Sequence, residues 1–317
     1  MKTEILIVGA GMAGLACARR LAGAGLAPVI LEKSRGIGGR MATRRVELAG
    51  SELRFDHGAQ YFTARTRNFA DALNGPCHAT ALWDDGSEEP HLVGIPGMSS
   101  LPRALAEGLD IRLGTEITAL WPSAQGWDLE AGPQRILARR LVLAIPAPQA
   151  ARLVGKAHPF HGRLAGVAMA PCLTLMAAFP PEAPRPFIAR SSKQHALAWI
   201  AQDSSKPGRA RAPTTWVAQA STDWSTRHLE LDPAAIADRM LPLLAEVIGA
   251  PAHTALHAVA HRWRHARVTT ALGQPFLCSN DRTLYLGGDW CLGARVESAW
   301  CSGDSIGADI VAAISAP

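Results

Sequence analysis

The sequence predicts an α/β fold in which a parallel-sheet domain, drawn from both ends of the chain, is interleaved with an antiparallel-sheet domain. Three observations carry this reading. The chain opens on an apolar strand, a small-residue helix and a second apolar strand; it closes on a short apolar strand and a long helix; and between them the pattern shifts to alternating segments. At 317 residues there is room for two domains and a sizeable core.

Residues 4–8 read as a buried strand, 12–24 as an Ala-rich helix and 28–32 as the next strand, a βαβ unit. Strands follow at 110–113, 116–120, 127–130 and 141–145, with a helix over 98–107, each junction marked by Pro or Gly. The alternating segments 173–179, 197–201, 215–220 and 256–263 predict a mostly antiparallel sheet. Asp232 then Pro233 start a helix over 233–248, and Gly249 ends it. A strand at 284–286 leads into a final helix from about 297 to 314. The expected division is 1–60, 96–150 and 275–317 for the nucleotide-type domain, and 61–95 and 151–274 for the second.

Composition narrows the function classes. A 48% hydrophobic, 19% charged chain is neither a disordered protein nor a coiled coil. Its net charge of +5 is spread without a dense Lys/Arg run, so no nucleic acid partner is expected. The six cysteines form no CxxC pair, which suits a reducing, cytoplasmic setting. Glu4 and two glycines interrupt the apolar N-terminus, which argues against a signal peptide, and no stretch suits a membrane span. No obligate protein partner is evident. The eleven histidines show no ligand spacing, so no metal is expected, and no G-x-S-x-G elbow supports a hydrolase.

Gly9-Ala10-Gly11-Met12-Ala13-Gly14 follows a strand and opens a helix, the context in which GxGxxG is informative. Gly9 permits the tight turn, Gly11 a close approach by a pyrophosphate, Gly14 close helix packing, and the helix N-terminus offers free amides. Glu32, eighteen residues after Gly14, is placed to accept ribose hydroxyls and to repel a ribose phosphate. A second glycine loop, Lys33 through Gly38, Gly39 and Arg40, suits the longer FAD better than NAD; the alternative is a plain surface loop. Gly287-Gly288-Asp289 ends the late strand, where Asp289 would hold ribityl hydroxyls. Ala299, Gly303 and Gly307, at spacing four, allow the last helix to lie against a flat ring or a neighbouring backbone. Its N-terminus, near Arg295 to Ser298, would direct positive dipole to the flavin pyrimidine side.

GAGMAG, EKSRGIGGRMATRR, DHGAQYFTAR, LAIPAPQA and GGDWCLGARVESAWCSG together resemble the flavin-containing amine oxidase superfamily in outline and bacterial renalase-like proteins in detail. SSKPGR at 204–209 and HRW at 261–263 extend the resemblance over nearly the whole chain. It implies an FAD-binding Rossmann-like domain with an interleaved antiparallel substrate domain, of the p-hydroxybenzoate hydroxylase type. Beside Gly9, Gly11, Gly14 and Glu32 it places Met12, Ala13, Lys33, Gly38, Gly39, Arg40 and Met41 along the cofactor. Gly58, Ala59, Gln60, Ile117 and Ala144 join them, as do Gly288, Asp289, Arg295, Val296, Glu297 and Ala299.

The implied activity is oxidation of a small-molecule dinucleotide, the 2- or 6-dihydro isomers of NAD(P), to NAD(P)+, with molecular oxygen as final acceptor. Candidates for the reacting face are Gln60, Tyr61, Trp199, His261, Trp263, Arg267 and Arg295, with Arg65 and Trp290 nearby. Each has a plain alternative: tryptophans as core, His261 as a hydrogen-bonded structural residue, arginines as solvated surface. Arg295 stands where amine oxidases carry a cage tyrosine, and a fixed cation there disfavours an ammonium. The other readings are an amine oxidase for small amines or polyamines and a redox-silent dinucleotide sensor.

Overall fold

The computed structural model describes residues 1–48, 50–74 and 79–315. Cys77 therefore lies outside the described residues. The chain begins with β1 (Lys2–Val8), α1 (Met12–Gly23) and β2 (Val29–Leu31), then a hairpin of β3 (Thr43–Leu48) and β4 (Ser51–Asp56). α2 (Arg67–Leu73), the hairpin β5 (Thr80–Trp83) and β6 (His91–Gly94), and α3 (Ser100–Ala106) follow. Next come β7 (Asp110–Arg112), β8 (Ala119–Ser123), β9 (Gly126–Ala131), β10 (Gln134–Leu143), α4 (Ala147–Val154) and α5 (Phe160–Ala165). The middle holds β11 (Ala168–Phe179), β12 (Ala189–Ser191), β13 (Leu197–Gln202), β14 (Thr214–Ala220), α6 (Thr222–Arg227), α7 (Pro233–Ile248) and β15 (His257–Thr270). β16 (Leu277–Cys278), β17 (Leu284–Leu286) and α8 (Val296–Ser315) complete the chain.

Both ends of the chain share one sheet. Its order is β16-β17-β10-β1-β2-β7, with the β8–β9 hairpin appended to β10, and β17, β10, β1, β2 and β7 run parallel. The central stretches of β1, β2, β10 and β17 are buried Ile, Leu and Val with Tyr285, whereas β7 at the edge exposes Asp110 and Arg112. α8 crosses back onto α1 through its glycines: a Cβ at Gly303 would stand 1.9 Å from the Ala13 carbonyl oxygen, and one at Gly307 2.7 Å from the Arg20 Cβ. The small-residue stripe thus serves backbone packing rather than a flat ring.

The second sheet is antiparallel throughout, in the order β12-β13-β14-β11-β15. Leu173, Leu175, Ala177 and Phe179 face α7, which starts at Asp232, whose carboxylate accepts from the Ala235 amide at 2.9 Å. The opposite face packs Met176, Ala178 and Val217 on Leu53 and Phe55 of β4. From the same sheet Gln219 and Trp263 reach the backbone that follows β4.

Several expected elements shift. The strand expected at 116–120 is β8, displaced because the Thr115 amide donates to the Glu32 carbonyl instead of a hairpin partner. The helix expected from 98 starts at Ser100, since the Met98 and Ser99 amides donate to Asp56 Oδ1 and Thr43 Oγ1. The strands expected at 141–145 and 256–263 fall largely within the longer β10, which ends at Leu143, and β15, which begins at His257.

Candidate functional site

The glycine turns are forced by contact. Gly9 has φ +105°, a Cβ on it would lie 2.6 Å from the Ala144 carbonyl oxygen, and a Cβ on Gly14 would lie 1.9 Å from that of Gly9. Over Gly11, by contrast, a Cβ would meet nothing within 4 Å, leaving the start of α1 open. The Gly38 amide donates to the Ala10 carbonyl at 2.9 Å, tying the second loop to the first. Glu32 is buried; Oε2 accepts from the Ala10 amide at 2.9 Å and Oε1 from the Ser34 amide at 2.8 Å. It braces both loops while keeping acceptor capacity for a ribose. Met12, Ala13, Met41 and Ile117 are buried beneath, whereas Lys33 is exposed and meets Glu116 at 3.8 Å.

Arg40 and Asp289, expected on pyrophosphate and ribityl respectively, meet one another. Arg40 donates twice to Asp289, at 2.8 and 2.7 Å, and to the Ala266 carbonyl at 3.0 Å. This bidentate pair joins the second glycine loop to the strand end that follows Gly288. Trp290 is core: it is fully buried and donates to the Ile145 carbonyl at 3.0 Å.

At the start of α8, Glu297 is 1% exposed. Its Oε1 accepts from the Arg65 amide at 2.9 Å and the Thr66 amide at 2.6 Å, holding the segment that follows Tyr61. Its Oε2 and the neighbouring Ser298 Oγ are buried without a hydrogen-bond partner among the described residues. Arg295 Nη1 stands 3.6 Å from that Oε2, and the Arg295 side chain is 44% exposed. Val296 and Ala299 pack into the apolar cluster that also holds Ala59, Tyr61 and Trp199.

The segment 56–61 is clamped by the second sheet. Trp263 Nε1 donates to the His57 carbonyl at 2.7 Å and Gln219 Nε2 to the Gly58 carbonyl at 2.6 Å; the Ala59 amide donates to the Arg40 carbonyl at 2.8 Å. Gln60 is buried, donating to the Asp56 carbonyl and accepting from Lys206 Nζ at 3.4 Å. Behind it lies a quartet of buried charges. Lys206 Nζ is 2.6 Å from Asp203 Oδ1 and 3.2 Å from Asp56 Oδ2, and Arg209 pairs with both carboxylates. Burial pushes the Asp56 carboxyl up, but the Lys206 and Arg209 charges outweigh it and hold it at about 2.

Cross-strand register aligns Trp199, Gln219, Thr174 and His261 in one row across β13, β14, β11 and β15. His57 stacks on Trp263 at 5.3 Å and meets His261 edge-on at 4.7 Å. Burial, then the adjoining His261 and Arg44, push His57 down to about 4; burial, then Arg44, do the same to His261. Both imidazoles are therefore neutral at pH 7. Arg267, beyond the irregularity in β15, is exposed.

Tyr61 forms an aromatic corner. Its ring lies on His91 at 3.4 Å between centroids and 16° between planes, and tilts 46° to Trp199 at 5.5 Å. His91 Nδ1 is 2.9 Å from Asp85 Oδ2, a pair with side chains 8% and 2% exposed. The sequence reading missed Asp85, His91, Gln219, Asp203 and Asp56. SSKPGR carried the signal for the quartet, in that a lysine and an arginine three residues apart need acids; nothing marked Asp85 and His91.

Open space over Gly11, the braced Glu32 and two buried oxygens at the start of α8 that accept no hydrogen bond from the described residues fit an elongated dinucleotide bearing a flat polar ring. Fold and loops thus define the class: a dinucleotide-binding flavoprotein with a separate antiparallel sheet. The chain belongs to the flavin containing amine oxidoreductase family, whose model matches residues 65–311, and an NAD(P)-binding Rossmann-like domain matches 7–74. FAD is its cofactor, and it is an FAD-dependent oxidoreductase, which sets aside the redox-silent sensor.

Solved structures share this fold at low identity. Putrescine oxidase bound to putrescine is 14% identical with a TM-score of 0.72, over 98% of this chain and 99% of that one. Cyclohexylamine oxidase from Brevibacterium oxydans IH-35A is 12% identical with a TM-score of 0.70, over 99% of each chain. A candidate protoporphyrinogen oxidase from Exiguobacterium sp. 255-15 is 15% identical with a TM-score of 0.72, over 98% of this chain and 99% of that one. No described helix is long and apolar enough to cross a membrane.

Proposed function

We propose that the chain is a renalase-like oxidase that converts the 2- and 6-dihydro isomers of NAD(P) to NAD(P)+. Arg295 is the observation that carries this reading. It stands immediately before α8, partly exposed, where an aromatic cage would need a flat ring. Arg65 holds Glu89 through two bonds of 2.7 and 2.8 Å, and its own amide binds the same Glu297 that faces Arg295. Arg65 is taken up by Glu89, so the half-exposed Arg295, only 3.6 Å from Glu297 Oε2, is the guanidinium left to meet a dinucleotide phosphate and to oppose an ammonium.

The chemistry FAD supplies is acceptance of a hydride from the dihydro ring and return of two electrons to oxygen, released as hydrogen peroxide. The substrate becomes aromatic by losing hydride alone, so no residue of the chain has to take a proton from it. The work left to the protein is orientation and exclusion of water. The clamped 56–61 segment and the neutral His57, His261 and Trp263 cluster serve that role. The reducing, cytoplasmic setting is part of this proposal, and the five described cysteines are free.

Family membership and the Tyr61–Trp199 corner favour a second reading, oxidation of a small amine or polyamine. Anaerobic mixing of oxidised holoenzyme with 6-dihydro-NAD, and separately with putrescine or benzylamine, separates the two. Rapid loss of the yellow absorbance with the dinucleotide supports the proposal. Loss only with an amine refutes it.

A further inference from the structure

The aromatic corner is a flat wall with one donor beside it. Asp85 and His91 fix the Tyr61 ring from behind, because a buried carboxylate holds His91 and His91 lies flat on the phenol. The wall is therefore preformed rather than assembled by a ligand. At its edge, Trp199 Nε1 is buried and has no hydrogen-bond partner among the described residues.

Four of the nine indoles show how the chain satisfies such a donor. Trp83, Trp127, Trp263 and Trp290 each donate to a partner between 2.7 and 3.0 Å. Trp216 Nε1 is also unpaired, but its ring lies in the apolar cluster packed under α7. Trp199 is thus the buried indole beside Tyr61 whose N–H has no partner among the described residues. An indole N–H can only donate. Its occupant must bring an acceptor, and leaving a buried donor empty costs more than an ordinary hydrogen bond returns.

We propose that Trp199 is a specificity-determining residue whose Nε1 donates to a carbonyl carried by a flat ring lying beside Tyr61, the carboxamide carbonyl of a nicotinamide. The assignment rests on the proposed function for the identity of that ring. It also supplies a reason for rejecting amines: an ammonium has donors only, so it would leave Trp199 Nε1 unpaired. A neutral amine has a single lone pair, and using it on Trp199 would take it away from the reacting carbon.

The test is a titration of holoenzyme, read as perturbation of the flavin absorbance, with three probes. These are NAD+, its 3-acetylpyridine analogue, which keeps the carbonyl, and an analogue with hydrogen in place of the carboxamide. Wild type should bind the first two about tenfold more tightly than the third, the worth of one buried hydrogen bond. Trp199→Phe should erase that preference, binding the first two about tenfold more weakly and the third unchanged. In turnover of 6-dihydro-NAD the same variant should raise KM with kcat little changed, as expected for uniform binding.

Equal wild-type affinity for all three probes overturns the assignment, whether or not the variant folds. So does an equal loss, or no loss, across the probes in Trp199→Phe with normal flavin content. If the probes rank as expected but 6-dihydro-NAD is not oxidised, the donor role stands and the oxidase reading falls. If 6-dihydro-NAD is oxidised and the probes do not rank, the reverse holds.

Discussion

Lys206→Met removes one cation from the buried quartet while keeping the length of the side chain. In the wild type two carboxylates, Asp56 and Asp203, face two cations, and all four side chains are at most 2% exposed. The variant leaves two carboxylates sharing Arg209 and strands one negative charge where water does not reach. Removing one partner of a buried pair costs about 3–5 kcal/mol, against at most about 1 kcal/mol for an exposed pair. Urea unfolding followed by tryptophan fluorescence measures it at pH 7.

The deficit must also depend on pH. With Lys206 gone, burial dominates and the stranded carboxyl rises above its unfolded value of 3.8. The native variant then binds more protons than the unfolded chain as pH falls, so its stability improves relative to wild type in acid. The wild-type carboxyl, held at about 2, behaves oppositely: its contribution is complete above 3.8 and is lost as pH falls toward 2. A loss below about 1 kcal/mol, or a deficit independent of pH, would refute the reasoning.

Two further outcomes are expected. His57 is depressed from 6.5 to about 4, so its neutral form contributes fully above pH 6.5 and its contribution is lost as pH falls toward 4. That amounts to about 3 kcal/mol, and His57→Gln should flatten the decline of the urea midpoint over this range. Gly303→Ala places a methyl 1.9 Å from the Ala13 carbonyl oxygen and should cost about 1–3 kcal/mol or more, with less FAD retained per mole of purified protein. Gly162→Ala, where a Cβ meets nothing within 4 Å, is the control and should leave flavin content unchanged.

The parallel sheet was legible because its signals are local. Gly9, Gly14 and Glu32 act within one βαβ unit, and the apolar triplet Leu284–Leu286 has no way to bury both faces except inside a sheet. The hairpin at 43–56 was not legible. Arg44, Arg45, Glu47, Glu52 and Arg54 mask its alternation, and what stabilises it, Leu53 and Phe55 against Met176 and Val217, lies more than a hundred residues away. Asp56 has the same history. Beside His57 and Gly58 it looks like a turn residue, and only the arrival of Lys206 and Arg209 makes it a buried anion.

Trp199 and Trp263 bring the limit into focus. Alternation puts both on the inner face of the same sheet, and in composition they are equivalent. They differ because β15 brings Trp263 to the His57 carbonyl, which takes its N–H, whereas among the described residues no carbonyl accepts from Trp199. Most buried donors are met by the protein, by water or by a ligand, and each exception asks for an explanation. The chain satisfies one indole and leaves the other beside a preformed aromatic wall, so the unsatisfied one is where specificity has to be sought.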